Sequence, residues 1–211
     1  MSPNSYECSL VSCRESLLLW QIIFITCVYT KSFKLNIFDV IPIGYDPPRD
    51  VNVILEIPKG SNIKYELEKE IGVLRMDRVL FPSMIYPGNY GFIPQTLSGD
   101  GDAEDVLILG ELSIVPIAVV NTRPIGILIT EDEKGEDSKI ITVPSPMVDP
   151  TASGVNDIEE VDPDLRSRIE HFFLHHKDLE KGKFVKIIGW KNRAHAYDTI
   201  TESMKRYKIR H

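Results

Sequence analysis

The residues best suited to chemistry lie in one acidic stretch, Asp100–Asp105 (DGDAED), here called the acidic loop. Its three aspartates are two and three positions apart and directly precede an apolar segment. Gly101 permits a tight turn that can point the carboxylates toward one another. Clustered carboxylates repel one another unless a cation joins them, and hard oxygen ligands favour Mg²⁺ or Ca²⁺ over zinc. The loop therefore predicts a metal site, with a solvated acidic turn as the alternative.

The spacing of the acidic residues excludes an EF-hand. Counted from Asp100, the sixth position holds Asp105, where an EF-hand loop needs glycine, although Glu111 stands at the twelfth. The chain also has no GxxxxGK[ST] loop and no glycine-rich dinucleotide turn. Because a nucleotide would need such a cradle or an equivalent, a smaller phosphate substrate is favoured.

The other charged residues indicate a functional site only when they are considered together. The run Glu131–Lys139 alone is typical of a charged hairpin loop, and Lys64 and Glu66 share one face of a predicted strand as a surface pair would. Arg78 lies on the next strand, and Lys177 comes at the end of the first predicted helix. Carboxylates from two loops could hold several Mg²⁺ ions while cations neutralise phosphate oxygens, which is typical of metal-assisted phosphoryl chemistry. The candidate phosphate-binding groups are Lys64, Arg78, Tyr90, Lys139 and Lys177.

The elements that must position these residues are mostly short strands. Segments rich in β-branched residues predict strands, whereas Tyr86–Thr96 is dense in Pro, Gly, Asn and aromatic residues and predicts an irregular segment that lines something. Pro124 and Gly126 interrupt the longest strand. The predicted strands cover residues 51–57, 63–68, 73–78, 105–109, 118–130, 139–143 and 184–190.

Two helices are predicted late in the chain. Asp162 caps the first, which begins at Pro163, carries one apolar stripe and ends with the charged run before Gly182. Asn192 could cap the second. Since strands and helices do not alternate, a doubly wound parallel sheet is disfavoured. A mainly β (α+β) fold, a small closed β-barrel with two flanking C-terminal helices, fits better.

The composition is that of an ordinary globular chain. Its 211 residues fit one domain with or without an appendage, and the net charge of −7 argues against a nucleic-acid binder. No apolar stretch reaches the 18 or so residues of a membrane span. All three cysteines lie in the first 35 residues, so the main body has no disulfide framework.

Residues 1–35 differ from the rest, because Ser16–Thr30 is uncharged and mostly apolar. Three interpretations stay open. The segment could be signal-like, since Arg14 precedes it, but Gln21 interrupts it and no cleavage site follows. It could be an interfacial or packed helix. It could also be a start-site artefact, with the start codon assigned too far upstream.

A resemblance adds to this interpretation. The segments EIPKGSNIKYELEKE, MDR, YPGNYGFIP, DGDAEDV, GEDSK and HFFLHHKDLEKGKFVKIIGW follow one another in the order of a known family. The chain resembles the family I soluble inorganic pyrophosphatases, most closely the bacterial and plant-type branch. The resemblance runs from about Val51 to about Tyr207, and the aspartate motif is its most specific part.

The resemblance implies an oligonucleotide-binding-like (OB-like), closed five-stranded barrel. It implies an inorganic diphosphatase in which a metal-activated water hydrolyses diphosphate to two phosphates, with Mg²⁺ as cofactor. We expect a pyrophosphatase domain at residues 36–211, a cytoplasmic location, no nucleic-acid partner and no stable membrane association. Bacterial members are commonly homohexamers, dimers of trimers, and His171, His175 and Asp178 lie where such members make subunit contacts.

Residue roles are also implied by the resemblance. Asp102 would be the general base near the attacking water. Lys64, Arg78, Tyr90, Lys139 and Lys177 would bind diphosphate or the leaving phosphate, and Glu66 and Tyr86 would support them. The implied metal ligands are Asp100, Asp105, Asp137, Asp132 and Glu56.

The chain departs from the family in three places. Ala103 replaces the usual proline of the aspartate motif, which removes a φ constraint but no ligand. His176 stands where the family usually has a phosphate-binding tyrosine. A neutral imidazole could donate one hydrogen bond and a protonated one could pair with phosphate, or His176 could simply pack with Phe172 and Phe173. The third departure is the extension, residues 1–35.

Two rival functions remain open. A barrel of this type can bind oligonucleotides, although the negative charge opposes it. A catalytically inactive structural oligomer is the other, although every expected acidic and cationic group except the tyrosine is present.

Overall fold

The computed structural model describes residues 40–69 and 71–210. Every predicted strand is present, with ends that differ from the prediction by at most two residues. Within this part of the chain the strands are β1 (Val51–Ile57), β2 (Ile63–Glu68), β3 (Val73–Val79), β4 (Asn89–Phe92), β5 (Asp105–Ile108), β6 (Val119–Asp132), β7 (Gly135–Glu136), β8 (Lys139–Pro144) and β9 (Val185–Asn192). The helices are α1 (Pro163–His175) and α2 (Arg193–Arg210), and two short 3₁₀ helices lie at Pro150–Gly154 and Ile158–Glu160.

Five of the strands form a ring. β1 pairs with β4, β4 with β5, β5 with β8 and β8 with β6, and β6 pairs back with β1. Only the β5–β8 pair of this ring is parallel, and β9 pairs with β6 outside it. Because parallel neighbours begin at the same end, the first residues of β5 and β8, Asp105 and Lys139, lie side by side. The predicted mainly β architecture with two late helices is confirmed.

The ring strands are buried on both faces. Along β5, Leu107 packs in a cluster with Phe172 and Phe173 of α1, whereas its neighbours Val106 and Ile108 pack in a second cluster with α2. Strands covered on both faces read as continuous apolar runs rather than as alternating ones. The two helices therefore cover different faces of the same strands and hold the ends of the ring in place.

The segment Tyr86–Thr96 is not irregular throughout, and that prediction was wrong. It contains β4, whose four residues are all buried and which joins β1 to β5. A Cβ atom on Gly91 would lie 2.0 Å from the carbonyl oxygen of Ile54 on β1. Glycine here permits the close approach of two strands and does not break one.

The β2–β3 hairpin stands apart as a separate two-stranded sheet. Lys64 pairs with Arg78, but Tyr65 pairs with Met76, so Asp77 is an extra residue in β3. This is a β-bulge, which turns side chains away from strict alternation. It brings the Asp77 carboxylate to the same side as Lys64 and Arg78.

The caps of both helices match the sequence signals. Oδ1 of Asp162 accepts a hydrogen bond from the N–H of Asp164 (2.7 Å), and Oδ1 of Asn192 accepts one from the N–H of His195 (3.2 Å). The end of α1 differs from the prediction, because α1 stops at His175, before the charged run. Two successive turns follow it, which places Lys177 in a loop.

The predictions for residues 1–35 fall outside the described residues. In the described part of the chain, neither helix is both long and apolar enough to cross a membrane.

Candidate active site

One pocket brings together every residue that the sequence assigned to a site. It has a volume of about 300 Å³ and lies where β5 and β8 begin. Its walls come from the ring, the hairpin, the acidic loop, the β6–β8 turn and the end of α1. The predicted residues that line it are Glu56, Lys64, Glu66, Arg78, Tyr86, Tyr90, Asp100, Asp102, Asp105, Asp132, Asp137, Lys139, His176 and Lys177. Their individual roles remain predictions.

The acidic loop is held by its own hydrogen bonds. The N–H of Ser98 donates to the carbonyl of Asp102 (2.7 Å), and the N–H of Asp102 donates to Oδ1 of Asp100 (3.1 Å). Gly101 has a φ of 95°, a conformation that favours glycine. These bonds close the turn with Ala103 in place of the expected proline.

Asp102, the predicted general base, is exposed at the mouth of the pocket. Its Oδ1 lies 3.5 Å from Nζ of Lys69, which comes from the end of β2. The same ammonium lies 5.7 Å from the ring centroid of Phe92, on β4. Lys69 therefore links the hairpin, the ring and the acidic loop at this point, a role that the sequence analysis did not predict.

The ammonium of Lys139 joins two carboxylates, Asp105 at the start of β5 and Asp137 in the loop before β8. Its Nζ lies 2.5 Å from Oδ2 of Asp105 and also donates a hydrogen bond to Asp137. Burial alone would lower the pKa of Lys139, but the carboxylates of Asp105 and Asp137 outweigh it and raise this pKa above its ordinary value. Lys139 is therefore charged at neutral pH, and it neutralises two of the predicted metal ligands.

A second ion pair in the pocket joins Lys177 to Asp132. Nζ of Lys177 lies 2.8 Å from Oδ2 of Asp132, and Oδ1 of Asp132 accepts a hydrogen bond from the N–H of Lys134 (2.8 Å). Burial opposes ionisation of Asp132, yet the hydrogen bonds from Lys177 and Lys134 lower its pKa. Asp132 is therefore a carboxylate that a cation could bind after exchange with Lys177.

Three acidic groups in the pocket resist ionisation. Burial raises the pKa of Glu56 to about 7, against a hydrogen bond from the N–H of Leu67, and Asp105 adds to the rise. Burial first and Asp105 second also raise the pKa of the Tyr86 and Tyr90 phenols. Loss of contact with water is therefore the main cause of these shifts, and the Asp105 carboxylate adds to it.

The donor chemistry of the pocket fits a hard divalent cation. Its acidic groups offer oxygen ligands only, the ligands that Mg²⁺ and Ca²⁺ prefer. In residues 40–69 and 71–210, however, no three acidic, His or Cys side chains already stand as a set that could hold a metal ion. Lys139 lies between two of the predicted ligands, so a cation that used both would require this ammonium to shift.

Carboxylates hold the cations of the hairpin in place. Lys64 pairs with Glu66 on its own strand and lies 3.7 Å from Asp77 across the bulge. Arg78 contacts Asp77 and donates from Nε to Oε1 of Glu180 (2.9 Å), in the loop that follows α1. Two cations thus face the pocket from one sheet, and the α1 loop anchors one of them.

Comparison with protein families decides the family. The inorganic pyrophosphatase family matches residues 53–208. The chain belongs to the inorganic pyrophosphatase family.

Relatives named inorganic pyrophosphatase match most of the chain. The protein of Saccharolobus solfataricus is 48% identical over 165 residues, which cover 78% of this chain and 96% of that one. The protein of Aquifex pyrophilus is 47% identical over 168 residues, 80% of this chain and 95% of that one. Among solved structures, the inorganic pyrophosphatase of Helicobacter pylori has a TM-score of 0.78 at 42% identity and covers 80% of this chain and 98% of its own. That of Thermus thermophilus has a TM-score of 0.77 at 41% identity, with 80% and 97% covered.

His176 both packs and lines the pocket of this pyrophosphatase. Its ring stacks on Phe172, with centroids 5.2 Å apart and planes inclined by 17°, and its Nδ1–H donates to the carbonyl of Phe173 (2.9 Å). Burial, with the nearby cations of Lys177 and Lys139, lowers the pKa of His176 to about 4. The imidazole is therefore neutral at pH 7, and its single N–H is already used. Neither the protonated ring nor a donated bond to phosphate, both open from the sequence, fits this arrangement.

The sequence analysis missed several pocket residues of the pyrophosphatase. Lys134 and Glu136 lie in the charged run between β6 and β8, and Ser98 and Ser138 flank predicted ligands. Their motifs were recognised, but periodicity cannot tell which side of a short loop a residue faces. The pocket residues outside the predicted set are Leu67, Lys69, Phe92, Ser98, Ala103, Lys134, Glu136, Ser138 and Phe173.

Proposed function

We propose that this chain hydrolyses inorganic diphosphate to two phosphates with Mg²⁺ held among the carboxylates of the pocket. The observation that carries the proposal is the mixture of charges there, in a chain of the inorganic pyrophosphatase family. Eight carboxyl side chains line the pocket beside six Lys and Arg side chains. An anion as highly charged as diphosphate is repelled by so many carboxylates unless cations bind with it.

The carboxylates have the first task. Asp100, Asp105 and Asp137, with Asp132 and Glu56, are the proposed ligands, and their oxygen chemistry favours Mg²⁺. When bound, the cation shields the phosphate charge and makes water a better nucleophile at neutral pH.

Asp102 is the proposed general base. It lies at the exposed mouth of the pocket, where water can reach it, on a loop closed by the Ser98–Asp102 hydrogen bond. A carboxylate in this place can accept the proton of the attacking water. Lys69, 3.5 Å away, holds the carboxylate on the pocket side.

The cations have the second task. Lys64, Arg78, Lys139 and Lys177 are the proposed partners of the phosphate oxygens, together with the Tyr90 hydroxyl, whose raised pKa keeps it a donor. Each of these cations already has a carboxylate partner, so diphosphate would exchange one anion for another. The groups act by position and electrostatics rather than by covalent chemistry.

Assembly and location belong to the same proposal. A homohexamer, a dimer of trimers, is supported by exposed apolar side chains on and beside β3. The rings of His171 and His175, which lie where bacterial members make subunit contacts, are neighbours with centroids 4.6 Å apart. The exposed apolar side chains are Val73, Met76, Val79, Phe81 and Ile85. We further propose that the five-stranded ring is a closed OB-like barrel, that residues 36–211 form the domain, and that the enzyme works in the cytoplasm.

A phosphate-release assay tests the function. The full chain is incubated with diphosphate and Mg²⁺, with diphosphate and a chelator, and with a phosphomonoester and Mg²⁺. We expect two phosphates per diphosphate in the first mixture only. No release, or equal release with chelator, would contradict the proposal. Sedimentation velocity of the same sample tests the hexamer.

A further inference from the structure

One side chain of α2 contacts the chain on both sides of the turn that carries Asp100 and Asp102. Nε of Arg206 donates to the carbonyl of Leu97 (2.7 Å), and its Nη2 lies 3.4 Å from Oε1 of Glu104. Leu97 precedes this turn, and Glu104 follows it and directly precedes Asp105. A single guanidinium therefore brackets two aspartates of the site and contacts the neighbour of the third.

The residues held by Arg206 are fixed by further bonds. The N–H of Leu97 donates to the carbonyl of Ser203 on α2 (3.1 Å). The N–H of Glu104 donates to Oγ1 of Thr96 (3.0 Å), whose hydroxyl in turn donates to the carbonyl of Ile93 (2.6 Å). These bonds attach the chain to α2 at Leu97, before the turn, and attach Glu104, after the turn, to Thr96.

Glu104 is an unusual residue for this position, because it is a carboxyl group with only 2% of its surface exposed. A buried carboxylate without a partner is costly, so the Arg206 contact cannot be exchanged freely for water. Glu104 is therefore a partner that holds the Arg206 side chain in this position.

We propose that Arg206 is a positioning residue that sets the spacing of Asp100, Asp102 and Asp105 and thereby the affinity of the acidic loop for divalent cations. The inference rests on the proposed function, in which these aspartates bind the cation and activate water. Residues that orient ligands from behind typically change metal affinity or activity by about 10–100-fold when replaced. A purely structural role for Arg206 would lower thermal stability and leave cation affinity unchanged.

The test is a calorimetric titration of the metal-free full chain with Mn²⁺ alone, at a temperature well below unfolding. We expect R206M to bind Mn²⁺ about 10–100-fold more weakly and to need correspondingly more Mg²⁺ for half-maximal turnover. E104L should show a similar loss, and the double variant E104L/R206M should lose less than the product of the two, because both remove one contact. E202Q is the matched control, since Glu202 is an exposed partner of Arg206 on the same helix (4.0 Å).

The outcomes separate the inference from the function beneath it. If R206M melts earlier but binds Mn²⁺ as the wild type does, the inference is wrong. If R206M binds Mn²⁺ weakly while the wild type releases no phosphate from diphosphate, the inference stands and the proposed function fails. If R206M does not fold, R206K is tested by the same titration. Lysine keeps the positive charge but lacks the several guanidinium nitrogens that contact Leu97 and Glu104 at once. Mn²⁺ affinity equal to that of the wild type would then overturn the inference.

Discussion

Nζ of Lys139 lies 2.5 Å from Oδ2 of Asp105, and the two residues begin neighbouring parallel strands. Their contact is therefore set by the register of the ring and not by a flexible loop. Because the same ammonium also reaches Asp137, one buried cation neutralises two proposed ligands before any metal arrives. This arrangement couples cation binding to the release of Lys139.

The variant K139M should separate metal affinity from substrate affinity. Without the Lys139 ammonium, the carboxylates of Asp105 and Asp137 have no positive partner between them. Mn²⁺ should therefore bind the substrate-free protein about tenfold more tightly, because it no longer competes with that nearby positive charge. The KM for diphosphate should rise about tenfold or more, because a charged hydrogen-bond partner of phosphate is lost. Calorimetry and steady-state kinetics measure the two effects.

K64M is the control for K139M. Lys64 lies on the hairpin and pairs with Glu66 and Asp77, which are not proposed ligands, so its loss should raise KM and should tighten Mn²⁺ binding less than K139M does. Equal Mn²⁺ affinity in K139M and the wild type would show that Lys139 does not compete with the cation.

Asp102→Asn should nearly preserve metal binding and remove most turnover. The carboxylate is exposed, its amide analogue has the same shape, and the loop bonds of Asp102 use backbone atoms. Loss of a general base typically costs about 10²–10⁴-fold in kcat. D198N, an exposed carboxylate on α2 away from the pocket, should keep full activity. A D102N enzyme with near-normal kcat would exclude Asp102 as the base.

His176 should not titrate between pH 6 and 8, since burial lowers its pKa to about 4. The KM for diphosphate should therefore show the same pH profile in the wild type and in H176Y and H176F. H176Y should have a KM about two- to tenfold lower, because its hydroxyl can donate one hydrogen bond of about 0.5–1.5 kcal/mol that the occupied Nδ1–H cannot. H176F keeps the ring contact with Phe172 and should gain nothing.

The lowered pKa of His176 also predicts a sign for acid stability. The unfolded chain binds a proton near pH 6.5, whereas the folded chain does so only near pH 4. The contribution of His176 is therefore complete above about pH 6.5 and is lost as the pH falls toward 4. Urea unfolding at pH 7, 6 and 5 should show a shallower decline for H176F than for the wild type, and parallel declines would contradict the shift.

A chain without residues 1–35 should stay active. Every proposed site residue lies beyond residue 50, and β1 is held to the described chain before it by the carbonyls of Pro42 and Ile43, which accept from the side chain and the N–H of Asn52 (2.9 and 2.7 Å). A chain that begins at Val51 would lose both and should unfold at lower urea. Activity per mole and sedimentation compare the three lengths; loss of activity in the first truncation would make residues 1–35 part of the fold.

Local signals in the sequence predicted the elements well. Asp162 before Pro163 and Asn192 before α2 carry their own capping chemistry, so helix starts needed no tertiary information. β4 could not be predicted in this way, because Gly91 is explained only by Ile54, a residue far from it in the chain.

The residues of the site could be predicted from the sequence, but the contacts between them could not. Residue types and motif order collected the pocket residues, yet the contact of Arg78 with Glu180 and the bulge at Asp77 depend on tertiary packing and strand register. The state of His176 depends on the carbonyl of Phe173, which no motif encodes. The sequence alone does not show which hydrogen-bond or ion-pair partner each polar atom already has in the folded chain.

The separation of the hairpin from the ring has a consequence for amide hydrogen exchange. Proposed ligands on β1 and β5 sit on strands paired on both sides within the ring, whereas Lys64 and Arg78 sit on a two-stranded sheet whose β3 is largely exposed. A small hairpin with little buried surface opens locally at lower free-energy cost than a strand of the main sheet. Amides of β2 and β3 should exchange long before those of β5, so that Lys64 and Arg78 are displaced transiently while Glu56 and Asp105 keep their positions. Diphosphate, by bridging the two sheets, should slow exchange in the hairpin far more than in the ring.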